Sequence, residues 1–440
     1  MSKSQRISSP IARTSRRDFV KSAGIVGTAL TVNLAFPQRL FAENSDTLKL
    51  GLIGCGGRGS GAVRDALAAE KNAVLVAVGE IFEPTAKSAV DNMKKEESIK
   101  DRIKVTPDTT YIGLDAYQKV INSGVDVVLL ATPPGFRPQH LKAAIEAGKH
   151  VFCEKPMATD VPGVRSVLAS AALAKEKKLA LAAGFCWRAD QACREFYGRV
   201  IGGEIGPVRA YHATYLSGPV KPMQAASSRP AGMSDVEWQL RNWYNFVWLS
   251  GDGLVEQACH SIDKIAWAMN GVLPVKATGN GGRVVPNHEG NIFDHIDVFF
   301  EFPDGVRATI AQRQIGNCYS DNSDYIVGAT GVGHGGWNPP TITGANKWRY
   351  RGPNPGAEMY VQEHRDLYAS IRKGEPKNDG TWMAHSTLMA LLGRTAAYTG
   401  QEITWEQILG GQEKLVPDSL TWDQKLAIAP IATPGKTRFA

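Results

Sequence analysis

Short apolar runs, separated by glycine-rich breaks and amphipathic stretches, set the rhythm of the first half of the chain. Residues 48–53 (Leu-Lys-Leu-Gly-Leu-Ile) read as a buried strand, followed by a glycine-rich turn and a helix over about Ser60–Lys71. Val74–Val78 reads as a second strand. Asp126–Ala131 is a third, broken by Thr132-Pro133-Pro134. A helix over Pro138–Ala147 stops at Gly148, and His150–Cys153 is extended again. One more helix, ending near Lys177, and a strand over Leu179–Gly184 complete the unit. Strands alternating with helices predict an α/β, doubly wound parallel sheet of the Rossmann type.

Beyond residue 185 the pattern changes to alternating or aromatic-rich stretches. Val208–Tyr215, Val275–Arg283, Ile296–Phe302 and Val306–Arg313 read as strands, and Phe302-Pro303-Asp304-Gly305 as a hairpin turn. An α+β domain with a mostly antiparallel sheet is predicted. Glu358–Arg372 and Met383–Thr399 are expected as helices packing back on the body. The Gly/Pro-rich segments 217–235 and 331–357 are expected as long loops that shape a pocket or meet a partner.

The chemistry enters at the breaks. Gly54, Gly56 and Gly59 fit G-x-G-x-x-G, with Gly57 and Arg58 inside it. The first glycine permits the tight turn, the second lets a pyrophosphate approach the backbone, and the third lets helix and strand pack closely. The following helix start offers unpaired N–H groups and a positive dipole end. Position after an apolar strand and before a helix is the context that favours a dinucleotide over a mere turn. Glu80, ending the second strand, suits the ribose hydroxyls and repels a 2′-phosphate, so NAD is expected rather than NADP; Glu83 is the rival and Arg58 a counter-signal. Thr132 and Pro133 end a strand at the sheet edge where ligands of such folds lie. Glu154-Lys155-Pro156 ends another, and a lysine desolvated there can hold a hydroxyl oxygen and help move its proton.

Glu256, His260 and Asp263 fall at i, i+4 and i+7, one face of a helix. Val255, Cys259, Ile262, Ala266 and Met269 form the adjoining core stripe, and Gln257, Ser261 and Lys264 are expected to face water. Carboxylates beside an imidazole can tune it as a general acid/base. Spacing alone leaves this open against a satisfied, partly buried histidine or a metal ligand, although no other Cys/His cluster completes a zinc site.

Together these residues resemble the glucose–fructose oxidoreductase/inositol dehydrogenase (Gfo/Idh/MocA) family, over roughly residues 48–410. The resemblance implies that Lys155 and His260 are the catalytic pair. It implies a substrate-binding acid four residues before the histidine, commonly aspartate and here Glu256; Glu256 and Asp263 are expected to position substrate and histidine. It places Arg188 close to nicotinamide and substrate, and it implies an open-faced second sheet, homodimers or homotetramers through that sheet, and sugars, cyclitols or glycosides as substrates. Trp243, in Arg241-Asn242-Trp243-Tyr244, is a candidate for stacking on a sugar ring or for an aromatic domain contact.

Composition narrows the setting. The 440-residue chain carries a formal charge of +7, yet residues 1–43 hold seven of its 50 Lys and Arg and two of its 43 Asp and Glu, leaving +2 on the rest. Nucleic acid is therefore not an expected partner. Ser15-Arg16-Arg17-Asp18-Phe19-Val20-Lys21 before the apolar run Ala23–Phe36 reads as a twin-arginine-type export signal, with cleavage near Ala42. No other stretch is long enough to span a bilayer. Six cysteines show no disulfide spacing.

The expected division is 1–43 export signal, 44–185 dinucleotide-binding Rossmann domain, 186–410 substrate and oligomerisation domain, and 411–440 tail. A periplasmic enzyme finds no free nicotinamide cofactor outside, so NAD is expected to travel tightly bound. The expected activity is an oxidoreductase on a sugar, polyol or glycoside hydroxyl. The alternatives are a redox-neutral glycoside hydrolase or lyase working through transient oxidation, and a non-catalytic sugar-binding protein.

Overall fold

β-Branched and leucine-rich runs bounded by glycine or proline form the strands of the first lobe: β1 (Leu48–Ile53), β2 (Ala73–Glu80), β3 (Thr110–Ile112), β4 (Val127–Leu130), β5 (His150–Cys153) and β6 (Leu181–Ala183). The structure, a computed structural model, describes residues 46–439; the export segment expected over 1–43 lies outside the described residues. All six strands pair in parallel, in the order β3-β2-β1-β4-β5-β6. The order reverses between β1 and β4, and this switch point opens a crevice at the carboxyl ends of the strands. Helices cover both faces, so β4 is buried at every position.

The second lobe is a nine-stranded sheet. It contains β7 (Val208–Ser217), β8 (Lys276–Gly282), β9 (His295–Glu301), β10 (Arg307–Gln314), β11 (Ser323–Gly328), β12 (Gly331–Gly336), β13 (Thr341–Gly344), β14 (Trp348–Arg349) and β15 (Ile403–Thr404). Their order is β14-β13-β12-β11-β7-β10-β9-β8-β15, antiparallel except for β7 against β10. Ile296, Val298 and Phe300 of β9 point into the core, while Phe299 between them is 46% exposed on the outer face. Three strands lie where the segment 331–357 was expected to be loop. The glycines of β12 hide the alternating signal; β12 pairs with β11, β13 with β12 and β14 with β13, so each strand is ordered by the neighbour before it.

Helix Gly380–Thr399 is buried nearly all round, packing on β8, β9 and helix Val161–Glu176 at once. It ends at Gly400, whose φ of +69° is the left-handed cap that glycine tolerates. Helix Met359–Arg372 returns to the first lobe and lies on helix Gly57–Ala69. One hydrophobic core consequently runs from Leu130 and Val164 to Ile310 and Leu391. Among the described residues no helix is long and apolar enough to cross a membrane.

Candidate active site between the two lobes

The glycine turn is built as a cradle. Gly54 has φ +95°, and a Cβ there would meet the Ala131 backbone at 2.8 Å. A Cβ on Gly59 would lie 1.9 Å from the Gly54 carbonyl oxygen, so only glycine lets helix Gly57–Ala69 start this close to β1. Gly56 and Gly57, by contrast, face open space. The helix start has no side-chain cap, leaving its N–H groups for an anion. These features fit a dinucleotide pyrophosphate.

A cleft of about 850 Å³ runs from this cradle across the carboxyl ends of the strands. Gly54, Gly56, Gly57, Arg58, Gly59, Glu80, Thr132, Pro133, Glu154 and Lys155 line it from the first lobe; Trp243, Glu256 and His260 line it from the second. Glu80 accepts hydrogen bonds from the N–H groups of Cys55 (2.8 Å), Ile81 (2.7 Å) and Phe82 (3.2 Å). Its rival Glu83 is exposed at the start of the next helix. Arg58 pairs with Asp65 (2.9 Å) and Glu154 (2.8 Å) and lies over the Tyr360 ring, tying the cradle to the Glu-Lys-Pro segment.

Lys155, after β5 and joined to Pro156 by a cis peptide, crosses to the second lobe. Its Nζ donates to the Glu256 backbone carbonyl and to Glu256 Oε1 at 3.0 Å. Burial alone would push this ammonium toward neutrality, but the Glu256 carboxylate leads the neighbouring groups that outweigh it, and the pKa is raised. Gln257 Nε2 donates to Glu256 Oε2 at 2.8 Å, and the Tyr215 hydroxyl donates to Gln257 Oε1 at 2.6 Å. Burial pushes Tyr215 up to about 12, so it remains a neutral donor. His260 stands on the same wall with the Phe185 ring edge-on at 6.0 Å. Burial first, then the charges of Lys155 and Lys264, hold its imidazole well below the usual histidine pKa. Its Nδ1 is buried without a partner.

Two groupings differ from the sequence expectation. Glu256 and His260 do not share one helix: the chain breaks at Gln257 and Ala258, between helices Gly253–Glu256 and Cys259–Ala268. Asp263 and Arg188 do not line the cleft; they face each other, with Nε and Nη2 of Arg188 reaching the carboxylate at 2.8 and 2.9 Å. The Arg188 guanidinium is sandwiched between Trp267 and Trp382, and Ser386 donates to Asp263 at 2.7 Å. Nor do Ser261 and Lys264 face water. Both are buried, because helix Cys259–Ala268 packs on helix Gly380–Thr399 and β7 together. Lys264 pairs with Asp324 at 2.6 Å, and Gln257 lines the cleft.

Sequence reasoning missed Tyr215, Gln257 and Arg137. Buried Arg137 donates to the carbonyls of Thr132 (2.9 Å) and Pro156 (2.6 Å), clasping two cleft loops. Nothing in the local pattern marks it, since its partners are backbone atoms. Among the described residues no group of three or more His, Cys, Asp or Glu is placed to hold a metal ion. Cys55 and Cys153 are buried, which raises both thiols.

Comparison with known proteins agrees with this architecture. Residues 48–185 match the family model of the Gfo/Idh/MocA oxidoreductases, NAD-binding Rossmann fold. The inositol 2-dehydrogenase of Serratia proteamaculans is 28% identical over 169 residues, covering 38% of this chain and 46% of that protein. Inositol 2-dehydrogenase 3 of Saccharopolyspora erythraea is 26% identical over 268 residues, 60% of this chain and 66% of that one. The chain thus spans about half to two thirds of these curated relatives. Among solved structures, levoglucosan dehydrogenase in complex with NADH and levoglucosan superposes with a TM-score of 0.64 at 18% identity, covering 82% of this chain and 99% of that one. Aldose–aldose oxidoreductase from Caulobacter crescentus, complexed with glycerol, gives 0.63 at 20% identity, with coverages of 81% and 99%. The fold is that of a two-lobed Rossmann protein with an open-faced antiparallel second sheet. Its first lobe matches the NAD-binding Rossmann domain of the Gfo/Idh/MocA oxidoreductases, and the chain is similar to inositol 2-dehydrogenases.

Proposed function

We propose that the protein is an NAD-dependent oxidoreductase acting on a hydroxyl group of a sugar, polyol or glycoside. The observation that carries this reading is the meeting of Lys155 and His260, from different lobes, on one cleft that begins at the glycine cradle. When bound, nicotinamide supplies a hydride acceptor. The chain's own residues then divide the proton chemistry. The uncharged imidazole of His260 takes the hydroxyl proton. The ammonium of Lys155, kept charged by Glu256, holds the oxygen as negative charge develops on it. Glu256 orients Lys155, and Tyr215 and Gln257 orient Glu256. Trp243 and Tyr244, edge-on at 5.5 Å, offer aromatic surface to the apolar face of a sugar ring.

NAD is favoured over NADP by the Glu80 carboxylate, whose negative charge opposes a 2′-phosphate. Tight retention of the cofactor, export by the twin-arginine route to the periplasm, and self-association through the outer sheet face around Phe299 and Tyr325 belong to the same reading. The test is to add inositols, aldoses, anhydrosugars and glycosides with NAD and follow nicotinamide absorbance. At least one should reduce NAD, and Lys155→Met should lower kcat by ~10²–10⁴-fold. No response to any polyol would overturn the reading. Phenol release from chromogenic glycosides without net NADH would replace it with the redox-neutral glycosidase.

A further inference from the structure

The cleft end beyond Glu80, where the fold places adenosine, is walled by Ile81, Phe82 and Leu114 of the first lobe and by Leu240 and Arg241 of the second. The Arg241 guanidinium lies 4.2 Å from the centre of the Phe82 ring, bridging the lobes over that end, and Glu237 pairs with it at 2.7 Å. The segment after Gly411, which has no regular structure, runs back across this end. Leu415, Val416, Leu420, Leu426 and Ile428 pack with Val236, Leu240 and Trp248 in a cluster that also takes in Phe82 and Phe136. Four polar ties pin the segment. Leu415 N–H donates to buried Asp160 (2.9 Å), Gln239 Nε2 donates to the Leu426 carbonyl (2.8 Å), Leu426 N–H donates to Asp235 (3.2 Å), and Asn291 Nδ2 donates to the Ala429 carbonyl (3.0 Å). Trp422 reaches the Phe82 ring at 6.0 Å between centroids.

We infer that Leu240 and Arg241 form the outer wall of the adenosine subsite, and that residues 412–429 are a strap holding that wall shut. The dinucleotide then leaves only when the strap peels away. This rests on the dinucleotide reading above and supplies a physical cause for cofactor retention that needs no partner protein. Each tie is a single hydrogen bond, but the strap must break them together with its apolar contacts, so release is slow although no one contact is strong.

The full chain, NAD-loaded, is compared with a chain ending at Gly411, with the double variant Trp422→Ala/Leu426→Ala, and with Arg241→Ala. Dinucleotide retained through gel filtration and its release rate into an excess of unlabelled NAD are read directly, with circular dichroism confirming that each variant is folded. Retention by the full chain and about tenfold or faster release from either strap variant is expected. ADP-ribose affinity should fall in Arg241→Ala while nicotinamide mononucleotide affinity stays level. Unchanged release from a folded strap variant, or equal loss of both half-ligands in Arg241→Ala, overturns the inference and leaves the dinucleotide reading intact. A full chain that neither releases nor binds any dinucleotide overturns both.

Discussion

Lys155 and Glu256, 101 positions apart in the chain, close a buried ion pair of 3.0 Å between two lobes whose own folds do not require it. The glycine cradle and the Glu154–Arg58 tie line the cleft from the first lobe and Glu256 lines it from the second, so the charge on Lys155 depends on a residue from the other lobe.

Glu256→Gln removes that charge and keeps the carbonyl contact. Lys155 acts as an ammonium, so activity is lost as pH rises through its pKa. Without the carboxylate the raised pKa falls. The alkaline limb of the kcat profile is expected to move to lower pH, with a smaller loss at neutral pH than the ~10²–10⁴-fold expected of Lys155→Met. A profile superimposable on the parent's would remove Glu256 from this role.

His260 works as a base only when unprotonated. Because its pKa is lowered, kcat/KM should stay level through pH 6.5 and fall only as pH drops through that depressed value. A limb centred at or above the ordinary histidine pKa would contradict the role, as would full activity in His260→Ala.

Gly57 and Gly59 are expected to behave differently. Gly57→Ala meets no atom within 4 Å, so the protein should fold with an unchanged Tm while dinucleotide affinity drops, because the methyl enters the space left for phosphate. In Gly59→Ala the methyl collides with the Gly54 carbonyl, and both Tm and affinity should fall. Calorimetry with NAD titration separates the two.

Arg188 is expected to matter for stability rather than for turnover. Arg188→Met leaves Asp263 buried with only the Ser386 hydroxyl beside it, a loss of about 3–5 kcal/mol on denaturant unfolding. KM for the best substrate should not move. A raised KM with unchanged stability would restore Arg188 and Asp263 to the substrate.

His364 makes stability fall in acid. Its ring lies 4.1 Å from Phe152, both nitrogens are unpartnered, and burial lowers its pKa to about 3. The unfolded chain takes up the proton near pH 6.5 and the folded chain does not. The stability present above 6.5 is therefore lost as pH falls toward 3, by about 1.4 kcal/mol per pH unit for this group. His364→Phe should flatten that slope and raise stability at pH 5. An unaltered slope in urea titrations at pH 5 and 7 would show that the ring is not the cause.

Five of the six strands of the first lobe were legible in the chain because their signals are local, whereas the three-residue edge strand β3 was too short to stand out. An apolar run must be buried, a glycine must allow a close approach, and Pro133 and Pro156 must end strands; each follows from a handful of adjacent residues. The same holds for the alternating strands β9 and β10. The strands within 331–357 were not legible, since a glycine-rich segment carries little side-chain alternation and these strands form by pairing outward in turn from β11.

Side-chain direction around His260 was decided by tertiary structure alone. Helical spacing places Glu256, His260 and Asp263 on one face, but a break at Gln257 turns Glu256 to Lys155, and packing on two sides buries Lys264 against Asp324 and Asp263 against Arg188. Residue types and spacing thus determined which fold forms and which groups are available for chemistry. Which of those groups meet was settled by contacts between lobes far apart in sequence, because a buried charge takes whichever opposite charge the packing brings within reach.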